Sequence, residues 1–224
     1  MPAAGSGLRF AAGLPKQYLP LAGRTLIECA LQPFLKDERC LQIIVSLAPG
    51  DTRFAQLPVA GNSRLRTVIG GSQRSDSVLA ALQSVAAADD AWMLVHDAAR
   101  PCVTSADIDA LLAAATADSV GALLALPLAD TLKRGAADGR VTETPARDAL
   151  WRAQTPQAFR LGPLRAALTA ARAAGRVPTD EAQAMEWQGQ FPLLVPGSAL
   201  NLKITEATDL ALAAMVLAQR GASS

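Results

Sequence analysis

Histidine is nearly absent from this chain, with His96 the single example, and the three cysteines, Cys29, Cys40 and Cys102, are odd in number and far apart. Neither a disulfide framework nor a zinc-ligand spacing can be built from them, so we read them as reduced thiols of a cytoplasmic protein. Net charge is also nearly absent, at +1 from 21 basic and 20 acidic residues. That balance argues against a protein held to nucleic acid by bulk charge, although a local phosphate site needs only a few placed cations. No run approaches the ~20 apolar residues of a membrane span. The start, Met1-Pro2-Ala3-Ala4-Gly5, lacks the charged and apolar regions of a signal peptide. The expectation is a soluble protein with no membrane and no nucleic-acid partner.

The 224 residues that remain are 50% hydrophobic and 18% charged, enough to bury the core of one large α/β domain. Short apolar runs alternate with helical ones, the pattern of a mostly parallel sheet covered by helices. Candidate strands are Leu41–Leu47, Leu65–Ile69, Trp92–His96, Val120–Leu126, Phe191–Val195 and Leu200–Ile204. Several are apolar without alternation, as expected of strands buried on both faces. Candidate helices are Thr25–Lys36, Ser75–Ala87 and Ser105–Ala117, a short one opened by Thr179, Asp180 and Glu181, and a last one from Thr205 to about Arg220. Thr104 with Asp107 has the spacing of a capping box. Residues 130–159 break the rhythm with Gly135, Gly139 and Pro145, and read as a β-arm in which residues 132–134 pair with 139–144. Such an arm is poorly stabilised alone and calls for a partner.

Three segments carry the chemistry. Pro2-Ala3-Ala4-Gly5-Ser6-Gly7-Leu8-Arg9 lets backbone N–H groups approach an anion closely, and Arg9 and Lys16 add positive charge beside it. It is neither a Walker loop nor a dinucleotide fingerprint, and by itself it is equally compatible with a plain glycine-rich turn. Val95-His96-Asp97-Ala98-Ala99-Arg100-Pro101 sets a carboxylate and a guanidinium just beyond an apolar strand, at the end where open α/β sheets bind ligands. Asp97 could hold Mg²⁺ and Arg100 a phosphate, or the two could form an ion pair that orders the loop. His96 is expected to pack or hydrogen-bond beneath the site. Gly70-Gly71-Ser72-Gln73-Arg74-Ser75-Asp76-Ser77 leads from a strand into a helix and again favours anion contact.

Together, PAAGSGLRF (Pro2–Phe10), PKQYL (Pro15–Leu19), GGSQRSDSV (Gly70–Val78), VHDAARP (Val95–Pro101), DTLKR (Asp130–Arg134), LWRAQTPQAF (Leu150–Phe159), TDEA (Thr179–Ala182) and NLKIT (Asn201–Thr205) resemble the 2-C-methyl-D-erythritol 4-phosphate cytidylyltransferase family. The resemblance spans nearly the whole chain. It implies one nucleotidyltransferase domain, residues 1–224, with a Rossmann-like, mostly parallel sheet, helices on both faces and a projecting β-arm that interlocks two subunits as a homodimer. It implies transfer of a cytidylyl group from CTP to 2-C-methyl-D-erythritol 4-phosphate with release of pyrophosphate, in non-mevalonate isoprenoid synthesis, with Mg²⁺ as cofactor.

By position, the resemblance implies that Pro2, Ala3, Ala4, Gly5, Gly7, Gly71, Ser72, Ser77 and Ala98 wrap the nucleotide. Arg9 and Lys16 would stabilise the triphosphate in the transition state. Asp97, Arg100, Thr131, Thr155, Thr179 and Lys203 would line the acceptor site, and Arg147 would reach the neighbouring subunit's site. Lys203 and Arg147 join Arg9 and Lys16 as the catalytic cations, and Asp97 is the one candidate metal ligand. In one respect the chain departs from the family: a strand normally precedes Pro-Ala-Ala-Gly, whereas here Met1 stands directly before Pro2. The expectation is that a short apolar segment of about five residues is missing and a central sheet position is empty or otherwise filled. The rival readings are a cytidylyltransferase for another polyol phosphate, such as ribitol 5-phosphate, and an inactive nucleotide-binding dimeric protein.

Overall fold

The computed structural model of the chain describes residues 1–5 and 14–222. A two-residue strand, β1 (Pro2–Ala3), runs parallel to β4 (Ile43–Leu47), which in turn runs parallel to β5 (Leu65–Ile69). Between β1 and β4 lie a short antiparallel ribbon, β2 (Pro20–Leu21) with β3 (Arg24–Thr25), and helix α1 (Leu26–Lys36). A second sheet has the order β11 (Leu193–Pro196), β7 (Gly121–Pro127), β10 (Trp151–Arg160), β6 (Trp92–Val95). β10 is antiparallel to both of its neighbours, and every other pairing in these two sheets is parallel.

The first residues of the anion loop are themselves a strand. Pro2 and Ala3 pair with Ser46 and Leu47, and the Met1 amino group donates to the Ile44 carbonyl at 2.6 Å. Burial pushes that ammonium's pKa down to about 5. Among the described residues no ladder joins the β1–β4–β5 sheet to the other.

Successive residues of a strand face opposite sides, and the core follows that alternation. Leu123 of β7 and Phe159 of β10 pack on one face with α2 (Arg74–Gln83), α4 (Leu161–Ala173) and α5 (Glu181–Glu186). Ala122 and Leu124 of β7, with Ala158 of β10, face the other way against Leu111 and Ala115 of α3 (Ser105–Ala117). Each fully buried leucine among these contributes about 1.5–3 kcal/mol. The last helix, α6 (Ala207–Ala222), closes over α1 through Ala213, Ile204 and Leu26. Its start is tied by Asp209, whose carboxylate accepts from the Thr205 and Glu206 amides.

Three expectations change. Leu200–Ile204 is not a strand: it makes isolated bonds to other segments, with Ile204 N–H donating to the Ala99 carbonyl and Asn201 Nδ2 to that of Thr155 in β10. Helix α4 was not anticipated, although Leu161, Leu164 and Leu168 form its buried face at helical spacing. The arm is narrower than residues 130–159. β8 (Arg134–Gly135) and β9 (Val141–Glu143) pair as an exposed ribbon, but Trp151–Arg160 belongs to the central sheet, with residues 154–159 buried.

Candidate active site

Strand ends and helix starts converge on a hollow of about 250 Å³. One wall is the segment Pro2–Gly5 leaving β1, and another is the turn Gly71–Arg74 entering α2. Asp97, Ala98 and Ala99 follow β6, and Lys16, Gln17, Lys203 and Ser77 complete the lining. Close packing sets this geometry. A Cβ on Gly70 would lie 2.7 Å from both Ala4 Cβ and Ser77 Oγ, so only glycine lets the two loops meet. Buried Gln17 donates from Nε2 to the Ala3 carbonyl at 2.8 Å and fixes the first loop. Ser77 Oγ accepts from Gly71 N–H at 3.1 Å, so its hydroxyl shapes the turn.

Asp97 is buried, and each carboxylate oxygen meets a cation: Oδ1 lies 2.8 Å from Arg74 Nε and Oδ2 2.8 Å from Lys203 Nζ. Burial opposes its ionisation, but Arg74 and Lys203 outweigh it and hold the carboxyl well below the usual range. Lys16 Nζ donates to the Ile204 carbonyl at 2.7 Å, which keeps the two lysines on the same rim. Asp97 is also the candidate metal ligand. Both of its oxygens are engaged, it is the one carboxylate lining the hollow, and no group of three potential ligands occurs among the described residues. A protein-built metal cage does not fit this donor set.

Beneath the hollow runs a buried polar relay. Asp97 N–H donates to Thr155 Oγ1 at 3.0 Å, and Thr155 Oγ1 lies 3.1 Å from His96 Nδ1. His96 Nε2 lies 3.0 Å from the Arg100 carbonyl, which can only accept. The network therefore places the ring proton on Nε2, leaving Nδ1 to accept from the threonine hydroxyl. Burial lowers the His96 pKa to about 4, so the ring is neutral, as expected of a residue beneath the site. Arg100 is likewise absorbed by the scaffold. Its guanidinium donates to the carbonyls of Asn201 at 2.7 Å and Ala153 at 3.3 Å, where the register of β10 is interrupted.

The structure thus gathers Pro2, Ala3, Ala4, Gly5, Gly71, Ser72, Ser77, Ala98, Lys16, Asp97 and Lys203 around one hollow. It does not bring the other acceptor-side residues into that lining. Thr155 and Arg100 lie under it, while Thr131 and Thr179 are exposed. Arg147 is on the exposed arm, where its NH1 donates to the Ala129 carbonyl. Arg9 and Gly7 lie outside the described residues. Three residues went unremarked although they sit inside the quoted motifs: Gln17, Arg74 and Glu181. Arg74 and Glu181 stand among other polar residues in GGSQRSDSV and TDEA, so nothing local marks them out.

An α/β sheet that ends in glycine-lined loops and a pair of lysines defines a class of protein, one that binds a phosphorylated ligand at its strand ends. Comparisons with known proteins narrow it. A sequence profile described as 2-C-methyl-D-erythritol 4-phosphate cytidylyltransferase matches residues 1–219, and the chain belongs to that family. A protein of that name from Shewanella denitrificans is 50% identical over 222 residues, covering 99% of this chain and 91% of the relative. One from Ectopseudomonas mendocina is 52% identical over 214 residues, covering 94% and 91%. The crystal structure of the Francisella tularensis enzyme superposes with a TM-score of 0.84 at 33% identity, covering 96% of each chain. That from Thermus thermophilus gives 0.80 at 33%, covering 97% of this chain and 96% of the other.

Proposed function

We propose that this chain transfers a cytidylyl group from CTP to 2-C-methyl-D-erythritol 4-phosphate, releasing pyrophosphate, in isoprenoid-precursor synthesis. The observation that carries the reading is the convergence of two backbone loops, Lys16, Lys203 and the doubly paired Asp97 on one hollow in a chain of this family. An oxygen of the acceptor's phosphate attacks the α-phosphorus of CTP. The bond from that phosphorus to the bridging oxygen of the β-phosphate breaks, and the electron pair leaves on pyrophosphate. The attacking oxygen is already ionised at neutral pH, so no strong general base is required. The chain must align two anions and offset their growing charge. In this reading the loops of Pro2–Gly7, Gly71–Ser77 and Ala98 receive the nucleotide. Lys16 and Arg9 offset charge on the triphosphate, and Lys203, with Asp97 holding it, receives the acceptor's phosphate.

Enzymes of this family generally use a divalent metal; we take it to be Mg²⁺, entering with the triphosphate. Residues 1–224 are read as a single domain whose arm, with exposed Val141 and Arg147, meets a second copy of the chain. No described helix is long and apolar enough to cross a membrane, and the described cysteines are free thiols, which supports a cytoplasmic setting.

The test is pyrophosphate release from CTP with methylerythritol phosphate, ribitol 5-phosphate, or no acceptor. Release only with the first supports the reading. Preference for ribitol 5-phosphate, or nucleotide binding without release, replaces it with one of the rivals. Replacing Lys16 or Lys203 by Ala is expected to lower turnover by about 10²–10³, as for loss of one preorganised donor.

A further inference from the structure

Arg74 opens helix α2, the end of a helix that favours acids over bases. Something other than the helix must hold a cation there. All three guanidinium nitrogens are engaged. Nε donates to Asp97 Oδ1 at 2.8 Å, while NH1 and NH2 reach Glu181 Oε1 and Oε2 at 2.6 and 2.9 Å. Glu181, the first residue of α5, has no solvent exposure. With the Asp97–Lys203 pair, these contacts make one chain of alternating charge, Glu181–Arg74–Asp97–Lys203. It runs from α5 through the nucleotide-side turn and the end of β6 to the rim of the hollow. Only its last member is substantially open to solvent, the Lys203 side chain being 44% exposed.

A buried ion chain is a poor way to gain stability, since apolar residues of the same volume usually do as well. It is an effective way to fix direction. The bidentate grip of Glu181 leaves the guanidinium one orientation, and that orientation presents Nε to a single oxygen of Asp97. The other oxygen is then directed at Lys203. We propose that Arg74 is a positioning residue: anchored on Glu181, it sets the Asp97 carboxylate so that Lys203 is held at the rim of the hollow for the acceptor's phosphate. The identity of that anion rests on the reaction proposed above; the coupling of Arg74 to Lys203 does not. Lysine at position 74 would keep the charge but lacks the planar fork needed to meet both carboxylates at once.

The deciding experiment is a cycle of Arg74→Lys, Lys203→Ala and the two combined, assayed for pyrophosphate release with CTP and methylerythritol phosphate. Each single change is expected to lower kcat/KM for the acceptor by about 10²-fold, the usual consequence of a small misplacement at a reacting centre. Because Arg74 acts through Lys203, the combined variant should fall no more than a few-fold below Lys203→Ala. A full multiplicative loss, or an Arg74→Lys enzyme indistinguishable from the parent, overturns the inference. Arg74→Gln/Glu181→Gln removes the orphaned buried carboxylate and guards against misfolding. It should unfold at nearly the parental temperature yet remain impaired; recovered turnover would reduce Arg74 to a structural role. If the parent chain releases no pyrophosphate, the reaction reading falls on its own. The same cycle read by calorimetric titration with inorganic phosphate then decides the coupling, non-additive weakening supporting it and additive weakening refuting it.

Discussion

His96 offers an unusually clean titration, because it is the one histidine of the chain and is almost completely buried. In the unfolded chain its pKa is near 6.5, while in the fold burial lowers it to about 4. Between these values the unfolded state binds a proton that the folded state refuses. The folded state therefore has its full stability above pH 6.5 and loses it progressively as pH falls toward 4. Linkage gives a loss of about 2 kcal/mol from this residue between pH 7 and pH 5. His96→Gln keeps a donor toward the Arg100 carbonyl but has no group that titrates in this range. It should be less stable than the parent at pH 7, since the Thr155 hydroxyl loses its acceptor. The assay is urea unfolding of parent and variant at fixed protein concentration at pH 7, 6 and 5. The parent's advantage should shrink by about 2 kcal/mol across that range. Parallel pH dependences would mean that the ring is not held neutral, and the proton assignment along the Asp97–Thr155–His96–Arg100 relay would be wrong.

Thr155→Val should cost about 2–6 kcal/mol in chemical denaturation, because both the Asp97 amide and His96 Nδ1 lose a buried partner, whereas Thr155→Ser should cost far less. Equal losses for the two would refute the relay. Gly70→Ala should weaken CTP binding in calorimetry while preserving the fold, since the added Cβ meets Ala4 and Ser77 at 2.7 Å and forces the two loops apart. Gly121→Ala should destabilise by about 2 kcal/mol or more, because φ is +132° there and the Cβ would stand 2.3 Å from the Ala158 carbonyl oxygen of β10. Unchanged thermal unfolding would show that β7 and β10 can separate at that point. Cys102, buried and with its thiol pushed up to about 11, should resist iodoacetamide at neutral pH in the native protein and react only on unfolding. Rapid native labelling would contradict its burial.

What could be read from the sequence was whatever local chemistry decides. Thr104 with Asp107 predicts a helix start because both halves of the box lie within four residues, and the structure makes both bonds, at 2.9 and 3.1 Å. Strand 43–47 is legible because a buried parallel strand must be nearly all apolar at its centre, whereas 65–69, mostly exposed at the sheet edge, mixes apolar and polar residues. Leu200–Ile204 has the same composition but no neighbour to pair with, and pairing is not a local property. Helix α4 carries a legible face as well, with Leu161, Leu164 and Leu168 recurring at helical spacing on its buried side. At the site, the loops and lysines were legible because glycine and lysine have few other reasons to cluster. The distinction between Arg100, which holds up the floor, and Arg74, which sets the rim, was not. Both are arginines in strong motifs, and only the partners of their guanidinium groups separate them.

The electrostatics of the described hollow help explain why such a site spreads its cations over distant segments. Lys203 and Arg74 face Asp97, and Arg74 also meets Glu181 behind it, so these two cations are matched by two carboxylates. A site that receives a triphosphate and a second phosphate needs more. Unpaired cations packed together, however, would repel one another and draw solvent or stray anions before the substrates arrive. Pairing through Asp97 keeps the lysine ordered and nearly neutralised until a phosphate competes for it, while the carboxylate, already held by Arg74, has no need to move. The remaining charge must come from groups that are not part of this floor. On the present reading these are Arg9 in the loop after Gly5 and Arg147 on the arm of a second chain. In that reading their charge is added only once the nucleotide and acceptor are present to receive it.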